Sequence, residues 1–468
     1  MQIDLSPISE VRNTTTLHPV IAVATVVATV LILFGPRKKV LIPFFLVAFL
    51  GSWGQFIYIF GVHLFIARIL VLAGIIRVFS FKDRDGGPRL AGGWTSVDTV
   101  YTLWVAFHAL SDLILTRGSS ASFVYQSGFI WDSLGGYLLI RALIRGQDDI
   151  VRIVKVFAVL TAVLGVIMVN ERFRDQNIFG YFGSIPVVPE IREGRIRAQA
   201  AFAHPILAGV AGATLVPLFW WLWKSGKARM AAVFGTVGSM LMVFSSASST
   251  PVLAFGSGIL GVCMWPLRKR MRLVRWGMVA ALVSLHMVMK APVWWLIARI
   301  DLIAGNSGFH RAASIDNCIR HFSDWWLYGS KAMATWGWDM WDLSNQFVVE
   351  ADCGGIFTFI CFVLVIAKSF GRIGRARKLV EGDKDQEWFF WLLGVALFTH
   401  VVSFFGITYQ DQNRYSWCAF LAIAVAATYP VLASAPHAQP APVPSFRDRG
   451  LEMKPSPASQ LRRTSFTP

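Results

Sequence analysis

The chain has 468 residues, of which 55% are hydrophobic and only 15% are charged. A soluble domain carries about 25% charged residues, so this composition excludes an ordinary soluble enzyme. The high apolar content also excludes a mainly disordered chain. The formal net charge is +17. In a membrane protein such an excess is typical of cytoplasmic loops and gives no reason to expect nucleic acid as a partner.

Apolar stretches of about 20 residues, the length that crosses a bilayer, follow one another along most of the chain. Gly51, Gly54 and Gly61 interrupt the stretch 40–79, which predicts either one kinked hairpin or two spans. The sequence therefore predicts an all-α fold, a polytopic membrane helix bundle of about 12–13 spans. The candidate spans are residues 18–34, 40–60, 62–79, 95–115, 121–144, 150–169, 201–223, 230–247, 250–266, 276–290, 354–370, 388–405 and 414–433.

The connections between these spans alternate in charge. The basic ones should be cytoplasmic by the positive-inside rule, which places the loops 170–200 and 291–353 outside. Residues 434–468 are rich in Pro, Ala, Ser and Arg and predict a disordered cytoplasmic tail after a membrane domain of residues 1–433. The basic connections are residues 37–39, 224–229, 268–275 and 372–378.

The first candidate site residues lie where the loop 170–200 meets the next span. Arg195 and Arg197 precede this span, and His204-Pro205 begins it. A guanidinium matches phosphate oxygens in two-point contacts, so these arginines could hold a lipid-linked phosphate at the outer surface. The alternative is that they anchor the span at the interface, with His204-Pro205 forming a hydrogen-bonded kink.

The loop 291–353 is too long and too rich in Trp for a simple connection. Apolar residues recur at helical spacing from Arg311 onward, which predicts an amphipathic helix on the membrane, so that the loop is partly helical. The histidines of the loop are His310 and His321, and either could act as a general base. The alternative is a solvated loop with ordinary ion pairs.

Trp336, Trp338, Asp342 and Asn345 follow in the same loop. Trp faces can stack on sugar rings while neighbouring Asp and Asn side chains bind hydroxyls, so this combination suits a carbohydrate. The alternative is a belt of Trp at the membrane interface.

Ionisable residues within the candidate spans are functional candidates in any membrane protein. Asp98 and Asp112 fall near the ends of their predicted span, where a charge costs little. Structural pairing is therefore favoured over a proton path. Cys318 and Cys353 could form a disulfide if their side of the membrane is oxidising. Neither a metal-ligand pattern nor a nucleotide motif occurs, so no metal or cofactor is expected. The ionisable residues within spans are Asp98, His108, Asp112, Asp132, His286 and His400.

Taken in order, these stretches resemble the O-antigen ligase and O-antigen polymerase superfamily of bacterial envelope glycosyltransferases. That family has an Arg shortly before F-x-(N/H)-P-x-x-x-(A/G) at the start of a mid-chain span. Arg197, Phe202, His204, Pro205 and Gly209 are similar to this pattern. The resemblance covers about residues 195–370 by motif and the whole chain by topology.

Two further family motifs have looser counterparts in the large loop. The family has an Arg that opens a loop helix, followed by a PLxG-like turn, which Arg311 and Trp326-Leu-Tyr-Gly329 resemble. It then has HN-x-(Y/F)-L before a Gly, which Ser344-Asn345-Gln-Phe347-Val348 and Gly355 resemble.

The departure from the family is at Ser344, where its ligases have a His thought to activate the acceptor hydroxyl. A Ser side chain cannot serve as a general base in that way. Asp342 is the first candidate to replace it, followed by His310 and His321.

The resemblance implies an inverting, metal-independent glycosyltransferase of the bacterial cytoplasmic membrane. Its donor would be a glycan on undecaprenyl pyrophosphate, and its acceptor a sugar hydroxyl of lipid A–core or of a growing glycan chain. Membrane lipids and a chain-length regulator or flippase would be its other partners. The implied catalytic residues are Arg197, Arg311, Asp342, His310 and His321, and the implied substrate-binding residues are Arg195, His204, Asn345, Trp336 and Trp338.

Two other functions stay open from the sequence alone. One is a lipid-glycan flippase or secondary transporter, which would carry charges at the membrane midplane and repeat symmetry between its halves. The other is a non-catalytic membrane protein of polysaccharide assembly.

Overall fold

A computed structural model describes residues 14–80, 89–299, 307–337, 340 and 344–434. Apart from Ser434, these residues belong to one compact unit, Met1–Ala433. This part of the chain is almost entirely helical, with two short antiparallel hairpins, so the all-α prediction is confirmed for it. Asp342, Trp338 and the predicted tail beyond Ser434 lie outside the described residues.

Helices and strands are numbered here in chain order. The helices are α1 (Pro19–Phe34), α2 (Leu41–Leu50), α3 (Ile66–Ser80), α4 (Ser96–Leu115), α5 (Ser120–Ile130), α6 (Gly136–Leu143), α7 (Gln147–Arg174), α8 (Pro205–Lys224), α9 (Arg229–Ser245), α10 (Ser249–Cys263), α11 (Met271–Val288), α12 (Ser307–Arg320), α13 (Phe322–Trp325), α14 (Gln346–Leu379), α15 (Lys384–Phe404) and α16 (Asp411–Ala433). A π-helical turn, Trp131–Gly135, joins α5 to α6. The strands are β1 (Phe56–Ile59), β2 (Val62–Phe65), β3 (Glu190–Arg192) and β4 (Arg195–Arg197).

Six of the helices in the described part of the chain are long and apolar enough to cross a membrane: α7, α8, α11 with the turn before it, α14, α15 and α16. The helices α1, α9 and α10 are apolar but shorter. A helix satisfies its own backbone hydrogen bonds, which is what a segment in hydrocarbon requires. Each candidate span from the sequence contains one of the helices.

The candidate span 40–60 differs most from expectation. Only α2 is helical there, and its 10 residues reach about 15 Å, half of a typical hydrocarbon core. The hairpin β1–β2 follows, with Ile59 paired to Val62. Phe60 and Gly61 connect the strands with φ values of 48° and 83°. Two positive φ values in a two-residue turn are typical of a type I′ hairpin, which hydropathy does not reveal.

Small residues let neighbouring helices pack closely. The Cα and carbonyl group of Gly238 in α9 lie where a side chain at Gly165 in α7 would be. A side chain at Gly235 would similarly meet Ala158. Close backbone approach of this kind is typical of helix pairs in membranes.

The connections lie at two opposite ends of the bundle. At one end, Arg37 donates to Asp149 at 3.0 Å, and Arg268 and Arg377 both contact Glu387, at 2.9 and 3.1 Å. We refer to this as the basic end. Its connections are residues 35–40, 144–146, 225–228, 264–270 and 380–383.

The other end, the loop end, gathers the longer connections. The backbone N–H of Trp53 and the amide of Gln412 both donate to the carbonyl oxygen of Ala201, at 3.0 and 3.2 Å. Segments that are far apart in the chain therefore meet at this end. Its connections include residues 51–65, 116–119, 175–204, 246–248, 307–337 and 405–410.

The chain reverses its direction within α14, at Gly355, where φ is 68° and ψ is −168°. The rings of Phe347 and Phe362 are 5.7 Å apart. Fifteen residues of straight helix would separate them by about 22 Å, so the two parts of α14 lie side by side. We call residues 346–354 the re-entrant segment, because they enter the loop end of the bundle before the chain turns back to cross it.

Candidate functional site

The β3–β4 hairpin presents Arg197 to a carboxylate. Its guanidinium donates to Glu190, its cross-strand partner, at 2.7 Å and to the hydroxyl of Ser248 at 2.8 Å. Nε2 of His204 lies 3.9 Å from the other oxygen of Glu190. Arg197 and His204 are thus brought together around one counter-charge, and Arg197 is only 3% exposed. It could bind a phosphate only after leaving Glu190.

Arg195 lies on the same hairpin but is exposed. Its cross-strand partner is Arg192, which is also exposed. Like charges directly opposite each other on a hairpin repel, and a bound anion would relieve this repulsion. Arg195 therefore remains available to an anionic group at the loop end.

A buried carboxylate fixes the backbone between Arg197 and α8. Glu171 is fully buried and accepts from the N–H groups of Gln199 and Ala200, at 3.1 and 2.8 Å. Ala200 has a φ of 49°, which these hydrogen bonds help to maintain, and its carbonyl accepts from Asn177 at 2.9 Å. Glu171 was not identified from the sequence, because it falls just beyond a candidate span.

In the large loop, a helix is present where one was predicted from Arg311 onward, but this helix, α12, begins four residues earlier, at Ser307, and ends at Arg320. Arg311 is 5% exposed, and His310 is half-buried. His321 stacks on Trp336, with ring centroids 5.3 Å apart, and its Nδ1 is 3.0 Å from Asp324. The structure therefore brings two of the predicted residues, His321 and Trp336, into direct contact.

Asn345 caps the re-entrant segment. Its Oδ1 accepts from the N–H groups of Phe347 and Val348, at 3.0 and 3.3 Å, as expected for an N-cap residue. Asn345 is 1% exposed, and neither its Nδ2 nor the hydroxyl of Ser344 has a hydrogen-bond partner among the described residues. The predicted motif therefore positions the start of this helix and leaves two buried donors for a further partner.

The two loosely matched motifs of the large loop meet at the reversal. The N–H of Ile356 donates to the carbonyl of Trp326 at 2.9 Å. Gly329 and Gly355 both have positive φ, and a side chain at Gly355 would collide with the carbonyl of Leu327. The Trp326–Gly329 turn therefore supports the point at which α14 changes direction.

A cavity of ≈ 290 Å³ lies at the loop end, between α4, α5, the re-entrant segment and α16. Nine aromatic side chains line it together with six ionisable ones. This mixture of apolar wall and a few polar groups is typical of ligand sites. We call it the central cavity, and of the predicted site residues that the structure describes, none lines it. The ionisable lining residues are Arg68, His108, Asp132, Glu350, Asp411 and Arg414.

Four of these residues form a charged cluster on one side of the central cavity: Arg68, Asp132, Asp411 and Arg414. Nε and Nη2 of Arg68 donate to Asp132 at 3.0 and 2.8 Å. The guanidinium of Arg414 lies 5.2 Å from the ring centre of Phe129. All four also line a second cavity of ≈ 100 Å³, so the charged cluster borders both spaces.

The re-entrant segment contributes the other polar side of the central cavity. Glu350 is 1% exposed and accepts from the indole of Trp104 at 2.7 Å and from the amide of Gln346 at 2.6 Å. Its Oε2 lies 3.6 Å from Nδ1 of His108. Gln346 in turn accepts from the N–H of Tyr409 at 2.7 Å, which ties this segment to the connection before α16.

The ionisable residues of the spans do pair, but with distant partners. Asp112 forms an ion pair with Lys331 of the large loop and accepts from Gln126 at 2.7 Å. His108 and Asp112, one helical turn apart, thus contact different elements. Burial raises the pKa of the Tyr409 phenol, so it stays protonated at 2.8 Å from Nδ1 of His400.

The disulfide considered for Cys318 and Cys353 is absent, and both are free thiols. Cys318 is buried in a small apolar cluster with Trp325 and Val348. Burial, with Asp352 nearby, raises the pKa of the Cys318 thiol to about 12. Such a thiol is a packing group and not a reactive one.

Sequence reasoning did not identify Arg68 or Arg414 as site residues, and it placed Glu350 only at the end of the Trp-rich candidate stretch without giving it a role. A signal for two of them was available, because Arg68 is a cation within the candidate span 62–79 and Arg414 is the first residue of the span 414–433. Among the described residues, no group of three or more His, Cys, Asp and Glu could hold a metal ion. The chain matches no protein-family model and no curated protein.

Proposed function

We propose that this chain is a membrane glycosyltransferase that polymerises or transfers glycan repeat units. Its donor is a glycan on undecaprenyl pyrophosphate, and its acceptor is a sugar hydroxyl of lipid A–core or of a growing chain. The product belongs to O-antigen, capsule or exopolysaccharide. The observation that carries the proposal is the central cavity, which combines nine aromatic side chains with the charged cluster next to the Ser344–Phe347 motif.

The proposal includes an orientation in the bacterial cytoplasmic membrane. The basic end faces the cytoplasm, as does the tail, and the loop end with the central cavity faces outside. About 12–13 segments cross the bilayer, α5 and α6 forming one of them. The short α2 crosses together with the extended residues after it, where Ser52 and Gln55 are buried within the protein. Non-helical backbone is tolerated at membrane depth when protein surrounds it.

The chemistry follows from the residues that line the central cavity. Aromatic faces stack on the sugar rings of donor and acceptor. As the acceptor oxygen attacks the anomeric carbon, negative charge develops on the departing pyrophosphate. Arg68 and Arg414 can stabilise that charge without a metal, and Arg197 and Arg311 are further candidates for contact with the carrier. Attack from the side opposite the leaving group inverts the anomeric configuration.

The test uses the purified protein in lipid vesicles with an undecaprenyl-pyrophosphate oligosaccharide and neither nucleotide nor added metal. We expect carrier release and longer glycan, and a loss of about 10²–10³-fold in kcat for Arg414→Ala, as when a preorganised donor is removed. Arg272→Ala, an exposed cation on α11, is the matched control and should keep the wild-type rate.

The absence of turnover by folded protein with several donors would contradict the proposal. It would favour a lipid-glycan flippase, a secondary transporter or a non-catalytic assembly protein. Polymerase and ligase are separated by the intermediate that accumulates in a null strain. Loss of a polymerase leaves single repeats, whereas loss of a ligase leaves long glycan on the carrier lipid.

A further inference from the structure

We propose that His108 is the general base that takes the proton of the acceptor hydroxyl, with Glu350 as the residue that positions it. This inference rests on the proposed function and assigns the proton-accepting role within it. Neither residue belongs to the motifs that carry the family resemblance, in which Ser344 stands where the ligases have His.

His108 is placed for contact with a substrate. It lies in α4, lines the central cavity and is 9% exposed. Its ring stacks on Phe129 with the centroids 4.2 Å apart and the planes inclined by 21°, which fixes the orientation of the imidazole. Nδ1 is buried and has no hydrogen-bond partner among the described residues. Because Nδ1 is buried, Nε2 is the ring nitrogen that a substrate in the cavity can reach, as a general base requires.

Glu350 is placed to orient this imidazole. Its carboxylate already accepts from Trp104 and Gln346, so its position is fixed from two sides. Among the described residues, His108 is its only ion-pairing partner. A buried carboxylate without a cation is costly, and a proton gained by His108 would supply the missing positive charge. Nδ1 lies 3.6 Å from Glu350, an ion-pairing and not a hydrogen-bonding distance, so the carboxylate attracts a proton on Nδ1 and leaves Nε2 as the nitrogen that meets the acceptor.

The geometry also accounts for the position of the base relative to the leaving group. Phe129, on which His108 stacks, also lies under the guanidinium of Arg414. His108, the base, and Arg414, the cation that faces the pyrophosphate, therefore both contact one ring. Glu350 of the re-entrant segment and the cations Arg68 and Arg414 all line the central cavity, so the acceptor and the donor can meet within it.

The step balances as a direct displacement. The acceptor O–H bond breaks and its proton moves to Nε2 of His108. The acceptor oxygen forms a bond to the anomeric carbon while the bond from that carbon to the pyrophosphate oxygen breaks. The electron pair of the broken bond leaves with undecaprenyl pyrophosphate. The imidazolium then releases its proton to water, and no oxidant, reductant or metal is required.

The test compares the wild type with His108→Gln and His108→Ala in the same vesicle assay. We expect kcat to fall by about 10²–10⁴-fold, the range typical of a lost general base, with KM changed less than about threefold. Added imidazole should restore part of the rate of His108→Ala, which a misfolded variant could not show. His286→Gln, an exposed histidine on α11, is the matched control and should retain the wild-type rate.

Glu350→Gln tests the positioning role. We expect kcat to fall with little change in KM, and imidazole to rescue the double variant His108→Ala/Glu350→Gln less well than His108→Ala. A purely structural role for Glu350 would leave the efficiency of rescue unchanged. An active wild type with His108→Gln within threefold of its rate would overturn the inference and leave the proposed function standing. A wild type without turnover would overturn both.

Discussion

A fully buried ion pair lies at the basic end of the bundle, at the first turn of α4. Nε of Arg141 lies 3.4 Å from Asp98, and both side chains are 0% exposed. Asp98 also accepts from the hydroxyl of Tyr137 at 2.6 Å and takes part in a capping box with Thr95. The Asp98 carboxylate therefore caps the start of α4, accepts a hydrogen bond from the Tyr137 phenol and pairs with the buried Arg141 guanidinium.

Arg141→Met should be strongly destabilising, because it leaves the carboxylate of Asp98 buried without its cation. Breaking one side of a buried pair costs about 3–5 kcal/mol, whereas replacing both partners is far less harmful. The double variant Asp98→Asn/Arg141→Met should therefore recover much of the loss. Thermal unfolding in detergent measures the stability of both variants. A double variant no more stable than Arg141→Met would contradict the role of this ion pair.

Buried charged residues show which features of the structure the sequence could predict. Asp98, His108 and Asp132 were identifiable as ionisable groups in apolar segments, and pairing was the expected fate of such charges. Their partners were not identifiable, because Asp98 pairs with a residue 43 positions away and His108 with Glu350 in another element. Hydropathy detects the cost of a buried charge but not the side chain that compensates it.

At the scale of elements, the reversal within α14 depends on one backbone conformation. Gly355 has a φ of 68°, and a side chain there would collide with the carbonyl of Leu327. An L-residue in a left-handed conformation costs about 1–3 kcal/mol even where space is available. Both effects act on the segment that brings Glu350 into the central cavity.

Gly355→Ala should therefore displace the re-entrant segment and abolish turnover while the protein still inserts into membranes. Gly371→Ala is the matched control in the same helix, since a methyl group there would meet no neighbouring atom within 4 Å and its conformation is helical. The measurement is carrier release together with thermal unfolding. Equal activity of the two variants would show that the reversal does not position the site.

The elements themselves were predictable where hydrophobicity alone specifies them. Every candidate span contains a helix, and the helix after Arg311 was expected from its spacing. The β1–β2 hairpin was not expected because its residues are as apolar as those of a span, and the re-entrant segment was not expected because its residues were assigned to the outside loop. What distinguishes them is chain direction, which is set by glycine conformations and by contacts with distant segments such as the Trp326–Gly329 turn.

At the scale of the whole molecule, the division into a basic end and a loop end predicts which surfaces face each side of the membrane. In a cysteine-free background, Arg192→Cys should react with a membrane-impermeant thiol reagent from outside intact cells. Lys227→Cys, at the basic end, should react only after the cells are opened. Both positions are exposed, so access and not burial decides the outcome. Labelling of Lys227→Cys in intact cells would reverse the proposed orientation.

The central cavity is the feature that sequence reasoning could least anticipate. Its walls come from residues as distant as Trp53, Trp104, Glu350 and Trp417. The three tryptophans are inconspicuous within their own apolar stretches, and Glu350 is one of several acids in the large loop, so only the packing of the helices assembles them. The sequence therefore did not predict which residues line this cavity.

The wide separation of the lining residues along the sequence has a consequence for the synthesis of the chain. Because Trp53 and Trp417 face one space, the cavity cannot exist until the last helix has left the ribosome. At a synthesis rate of about 5–20 residues per second, the ribosome needs about 20–70 s to extend the chain from Trp53 to Trp417. During that time the earlier walls, with Arg68 and Asp132, are synthesised but do not yet enclose a cavity. A chain interrupted before α16 would insert much of its bundle yet lack the wall of the central cavity that Trp417 forms.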